Sequence, residues 1–173
     1  MYRAGMATLA ISAVGLDRPG IIAGVAGRLS AHGANITDSR MAILRGHFAM
    51  ALIVEGAERE ALAADLATLG LEAVTVAEVP EAASHPRSEP NAVVSVHGAD
   101  HLGIVAAVTG VLADAGVNVC DLQTRLAQGL YVMIIDAALP PGLAHEELDR
   151  RLQPVAAEQG VTITLRPVDA DVF

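Results

Sequence analysis

At 173 residues and 17.8 kDa the chain has room for one ordinary domain or two small ones, and 53% apolar against 18% charged residues exclude a disordered polymer. All 11 basic residues are arginines, set against 20 acidic ones, and the resulting charge of −9 argues against direct binding of DNA or RNA through phosphates. The only aromatics are Tyr2, Phe48, Tyr131 and Phe173, and Cys120 is the one cysteine. The core must therefore be aliphatic and alanine-rich, neither a disulfide nor a Cys-rich zinc site is available, and the expected compartment is the cytoplasm.

The first apolar run, Thr8 to Val14, ends at Gly15 and reads as a strand. Ser12, Gly15 and Asp17 break up the N-terminal apolar stretch, so no signal peptide is expected. Gly20 to His32 carries Ile21, Ile22, Val25 and Leu29 at helical spacing, with Gly33 placed to terminate the helix. Two extended runs follow, Asn35 to Leu44 and His47 to Val54, joined at Arg45-Gly46 as in a hairpin. Glu58 to Leu69 reads as a surface helix and Leu71 to Val79 as a strand. Pro80 to Asn91, PEAASHPRSEPN, has three prolines and no apolar period, which is the signature of a linker.

Beyond the linker the order repeats. Ala92 to His97 is a strand, and Ile104, Val105, Val108 and Leu112 mark a helix before Gly116. The longest apolar stretch lies here, Leu102 to Ala113, and is too short to span a membrane. Asn118 to Ala127 and Leu130 to Ala137 form a second hairpin through Gln128-Gly129. His145 to Gln159 is the last helix and Val161 to Val168 the last strand. Sliding the chain on itself so that Gly15 falls on Gly98 also superposes Asp17 on Asp100, Gly20 on Gly103, Gly33 on Gly116, Asn35 on Asn118, Asp38 on Asp121 and Met50 on Met133, without a gap. The chain is a tandem duplication with domains at 1–79 and 92–173 and a linker at 80–91. Each copy, βαββαβ, predicts an α+β ferredoxin-like sandwich: a four-stranded antiparallel sheet with both helices on one face. Phe48, Met50, Leu52 and Val54 alternate with Ala49, Ala51 and Ile53, so both faces of that strand are apolar, and the face away from the helices is expected to be covered by the sister domain or another chain.

The strings VGLDRPGIIAGVAGRLSAHGANITDSR and HGADHLGIVAAVTGVLADAGVNVCDLQ resemble the ACT domain, a small ligand-binding module of amino-acid metabolism. The likeness lies in the Gly-x-Asp-x-x-Gly loop after the first strand, the aliphatic helix, and Gly-x-Asn-Ile/Val opening the second strand. Two such units in one chain resemble stand-alone tandem-ACT regulators of the glycine cleavage system transcriptional repressor type. The resemblance implies amino-acid-responsive regulation through a protein partner such as a transcription regulator, without contact to nucleic acid or membrane.

The physical case for a ligand rests on the loop. Gly15 to Gly20 leads from a strand into a helix N-terminus, where unpaired backbone amides and a positive dipole favour an anion such as the carboxylate of a small amino acid, glycine or serine-like. The candidate binding residues are Gly15, Asp17, Arg18, Gly20, Ile21 and Asn35 in the first copy and Gly98, Asp100, His101, Gly103, Ile104 and Asn118 in the second. Arg18 adds a cation, and Asp17 or Asn35 accepts from the ammonium group. The same Asp, Gly and Asn residues also suit plain turn-making. The helix separates each loop from its Asn, so the expectation is composite sites in which the loop of one copy meets the Asn of the other, within the chain or in a homodimer. No catalytic motif or cofactor-binding motif is present, and His97, Asp100 and His101 lack the helical spacing and converging partners of a metal site. The alternative reading is a ligand-free dimerising module or an accessory regulatory subunit of a metabolic enzyme.

Overall fold

Alternating burial along Thr8–Leu16 turns Leu9, Ile11 and Ala13 inward and makes this strand, β1, the inner strand of a sheet. This is seen in a computed structural model of the chain, which describes residues 7–80 and 88–168. The chain divides into two compact units, Met1–His85 and Pro86–Phe173. The first continues with α1 (Ile21–Ala31), β2 (Asn35–Leu44), β3 (His47–Glu55), α2 (Arg59–Ala67) and β4 (Ala73–Val79). The second runs β5 (Ala92–Ala99), α3 (Ile104–Asp114), β6 (Asn118–Ala127), β7 (Leu130–Ala138), α4 (His145–Glu158) and β8 (Val161–Pro167). Each unit holds a four-stranded sheet, ordered β2-β3-β1-β4 and β6-β7-β5-β8, with every neighbouring pair antiparallel.

Local chemistry sets the corners. Arg45-Gly46 and Gln128-Gly129 take positive φ at both positions, 51° and 82° in the first turn and 53° and 82° in the second, which matches the twist of a two-residue hairpin. Helix α1 ends in a Schellman motif: the Gly33 amide donates to the Ser30 carbonyl at 3.0 Å and the Ala34 amide to the Leu29 carbonyl at 2.9 Å. Gly116 and Val117 do the same for Ala113 and Leu112, both at 2.9 Å. At the other end of the chain reversal, the β2–β3 ladder slips between Ile36 and Asp38, and the β6–β7 ladder between Val119 and Asp121. Thr37 and Cys120 are thus the extra residues of matching bulges. Cys120 is half-buried there, and its thiol donates to the Ser88 carbonyl at 3.1 Å.

Both cores lie between sheet and helices. Leu9, Ile11, Leu52, Val54, Val25, Leu29, Leu62 and Leu66 fill the first, and Val94, Val96, Met133, Ile135, Val108, Leu112, Leu148 and Leu152 the second. Phe48 and Tyr131 face the helices and are buried, so neither offers a stacking surface to a base. On the face of β1 away from the helices, Val14 and Leu16 are exposed, as is the whole of β2 at the sheet edge.

Of the linker expected at 80–91, residues 81–87 lie outside the described residues. Asn91 belongs to the second unit: its side-chain oxygen accepts from the Leu139 amide at 2.9 Å, and its backbone pairs with Ala137 and Val168. Among the described residues, no helix is long and apolar enough to cross a membrane.

Glycines 15 and 98 have a packing cause. A Cβ on Gly15 would lie 3.1 Å from Leu71 Cδ2, and one on Gly98 would lie 2.8 Å from Val161 Cγ1 and 3.1 Å from Val161 Cα. The leucine tip can rotate aside, whereas a β-branched side chain and its backbone cannot. Gly98→Ala is therefore expected to cost about 1–3 kcal/mol of unfolding free energy and Gly15→Ala clearly less, as read by urea denaturation of the two variants side by side.

Candidate functional site

The register of β1 against β3 runs from Thr8↔Glu55 to Leu16↔His47, so the chain leaves β1 beside the Arg45-Gly46 turn. There the Asp17 amide donates to the Gly46 carbonyl at 2.9 Å, fastening the loop to the hairpin. The Arg18 guanidinium crosses to the end of α2 and donates from Nη2 to the Leu69 carbonyl at 2.8 Å. After Pro19, Gly20 adopts the left-handed conformation, φ 87°, and opens α1 without any side-chain cap. Its carbonyl accepts from the Gly24 amide at 2.8 Å, while the Ile21 amide reaches only the Arg18 carbonyl at 3.4 Å. The first turn of α1 therefore presents weakly engaged amides at the positive end of the helix, with no acidic residue in that turn.

The second unit rebuilds this backbone with other side chains. Gly103 opens α3 at φ 100°, again uncapped, and its carbonyl accepts from the Ala107 amide at 2.9 Å. His101 replaces Arg18, with Nε2 2.6 Å from the Gln159 carbonyl oxygen and Nδ1 3.1 Å from that of Leu102. Leu102 replaces Pro19 and is 99% exposed. Asp100 sits close enough to Tyr131 to reinforce the effect of burial, which pushes the phenol pKa upward. His101 also moves upward, first because the Gln159 carbonyl accepts from the ring, then through Leu102 and the Asp100 charge.

Gly15, Asp17, Arg18, Gly20 and Ile21 are thus brought together at one end of the first unit, and Gly98, Asp100, His101, Gly103 and Ile104 at the matching end of the second. Asn35 is not among them. It pairs with Glu55 at the far end of the nine-residue β3, about 26 Å from the His47 end at roughly 3.3 Å per residue. Asn118 pairs with Ala138 in the same way, and its side-chain amide points to Cys120 Sγ at 3.8 Å. The Asp17 and Asn35 side chains have no hydrogen-bond partner among the described residues. Gly15 and Gly98 stand apart from the other candidates, because the space their missing side chains leave is taken by Leu71 and Val161. Among the described residues no three His, Cys, Asp or Glu side chains converge as a metal ion requires.

Sequence reading missed the partners of Arg18 and His101. Leu69 and Gln159 are distant in sequence and contribute backbone carbonyls, which no residue type announces. The signal that was available is the loop's retention of a hydrogen-bonding cation or imidazole at the same repeat position.

Each unit is a βαββαβ sandwich whose first helix is opened by a left-handed glycine with no side-chain cap, the architecture of a small α+β domain present in two copies. A family model described as "ACT domain" matches residues 7–74 and again 91–166, and the chain belongs to the ACT domain family. A UPF0237 protein of Pyrobaculum aerophilum is 36% identical over 80 residues, which take in 45% of this chain and 88% of that protein. One of Methanococcus maripaludis is 40% identical over 77 residues, 44% of this chain and 86% of that protein. Each of these relatives corresponds to about one unit. Among solved structures, a protein of Galdieria sulphuraria of unknown function aligns with a TM-score of 0.75 and 30% identity, over 95% of this chain and 99% of that one. A protein assigned as a glycine cleavage system transcriptional repressor shares the fold at a TM-score of 0.67 and 22% identity, over 94% of this chain and 98% of that one.

Arg18→Ala removes the tie to Leu69. The expected result is a loss of about 1 kcal/mol or less, with faster amide exchange confined to Asp17–Ile21 and Leu69–Leu71 while the sheet amides keep their protection.

Proposed function

We propose that the chain is a non-enzymatic regulator that senses a small amino acid, glycine or serine-like, and acts through a protein partner such as a transcription regulator. The observation that carries this reading is the duplicated loop: in each unit a left-handed glycine opens a helix that no side chain caps, beside an aspartate. A carboxylate suits those amides and the helix dipole, and Asp17 or Asp100 suits the ammonium group. The tandem-ACT structure assigned as a glycine cleavage system repressor supports the choice of partner class by analogy of fold.

The loop needs a complement, since Asn35 lies at the opposite end of its own unit. A second ACT unit supplies one. The edge strand β2 is exposed along ten residues, and Met41 and Ile43, on the helix side of the sheet by their pairing with Met50 and Phe48, are exposed together with Ile22 of α1. Gly27 on α1 and Gly110 on α3 have open space where a Cβ would stand, so within each unit nothing requires glycine there, and in this proposal a helix of another chain packs closely against them. The proposal is therefore that an amino acid is held where one unit's loop meets the Asn end of another.

Thermal melting and titration calorimetry with glycine, serine and the other small amino acids test the reading. A ligand at about 100 times its Kd stabilises by about 2.7 kcal/mol, and Asn35→Ala and Asp100→Ala are expected to weaken one and the same site. Independent effects of the two variants refute the composite site; no stabilisation by any amino acid refutes sensing and favours the ligand-free accessory module. Gly27→Ala adds a control on the surface. It is expected to stabilise the isolated fold by up to about 1 kcal/mol while weakening association measured by sedimentation.

A further inference from the structure

The two loops are tied down by different chemistry, and only one of the ties can titrate. In the first unit the Arg18 guanidinium, charged at every physiological pH, donates to the Leu69 carbonyl just beyond α2. In the second the His101 ring takes over that task, reaching the Gln159 carbonyl just beyond α4 at 2.6 Å and the Leu102 carbonyl at 3.1 Å. A neutral imidazole carries one N–H and one lone pair. Facing two carbonyl oxygens, it donates to one and turns its lone pair against the other. The imidazolium donates to both.

We propose that His101 is a protonation-dependent latch that holds the Asp100–Gly103 loop tightly to the end of α4 when the ring is charged and loosens it when the neutral ring can satisfy only one of its two carbonyls, whereas Arg18 holds the matching loop of the first unit permanently. This goes beyond amino-acid sensing and does not depend on it.

The surroundings set the direction. Gln159 and Leu102, through their carbonyls, and then the Asp100 charge raise the His101 pKa from its ordinary 6.5, against the opposing effect of burial. From α4 the ring meets the Gln159 carbonyl at the negative end of the helix, which also favours a cation. Helix α3 has no titratable side chain before Asp114, and β8 opens with the neutral Val161 and Thr162. Tyr131 on β7, whose phenol is pushed upward, stays neutral as the ring titrates. Because the folded value is raised, the stabilisation is complete below the unfolded pKa and is lost as pH rises through the folded one. One feature favours loosening: Gln159 Oε1 is buried with no donor among the described residues, and it lies 3.7 Å from where a Cβ on Gly103 would stand. Opening the loop returns that oxygen to water.

The test uses the whole chain with no amino acid added, so its outcome is separate from that of ligand binding. Ring NMR resonances of His101 are followed across pH, with amide exchange at Gly103, Ile104, Gln159 and Gly160 compared with Gly20, Ile21, Leu69 and Gly70 after correction for intrinsic base catalysis. The expected result is titration of His101 above about 6.5 and a rise in exchange at the second loop through that same pH, with no matching rise at the first. His101→Arg abolishes the rise, and His101→Gln holds the loop at its high-pH exchange throughout. A His101 pKa at or below the ordinary value, or a rise that survives His101→Arg, overturns the latch.

Discussion

The pairing of the first strand of each unit is the constraint on which everything else depends. β1 lies between β3 and β4 and is locked to both, nine residues against β3 in unbroken register. A slip of one residue would turn Leu9, Ile11 and Ala13 to the open face and expose the heart of the core. Holding that register fixes where β1 stops. Its last residue faces His47, so the loop that follows falls beside the hairpin turn and can be pinned by the Gly46 carbonyl. The same register sends the start of β2 to the opposite end. The separation of loop and asparagine is thus a property of the sheet, and a site that uses both requires a second unit.

What could be read from the sequence is whatever is decided within a few residues. The Schellman glycines Gly33 and Gly116, the Arg45-Gly46 and Gln128-Gly129 turns, and the β2 and β6 limits all follow from local backbone chemistry, and the structure puts them where the residue pattern does. The duplication helped further, since each copy checks the other. Illegible were the features decided by chain segments far apart. Gly15 and Gly98 suggest room for a ligand when read alone, yet their space is filled by Leu71 and Val161 arriving from the far side of the second helix. Arg18 suggests a free cation, yet one of its donors is already committed to Leu69. Asn91 reads as linker, though its hydrogen bonds with Ala137, Leu139, His145 and Val168 place it inside the second unit.

Comparison of the two copies separates what the fold demands from what it permits. Shared are backbone devices: left-handed glycines at the helix starts, glycines closing the same helices, paired positive-φ turns, and a bulge after the second residue of the edge strand. Side chains around the loop diverge freely, with arginine against histidine, proline against an exposed leucine, and phenylalanine against a tyrosine next to an aspartate. The geometry that presents amides is therefore held constant while its fastening and its rim vary. Duplicated sites built this way need not respond alike.

The bulges at Thr37 and Cys120 carry a consequence for solubility. Strands β2 and β6 stand at the sheet edges, where outward amides and carbonyls are a template for any extended peptide. At the third residue of each strand the bulge kinks the ribbon, and the acidic Asp38 or Asp121 follows at once, so a straight strand laid alongside cannot pair along the whole edge. An edge of this shape tolerates a companion with the same kink and discourages the indefinite stacking that leads to fibrils.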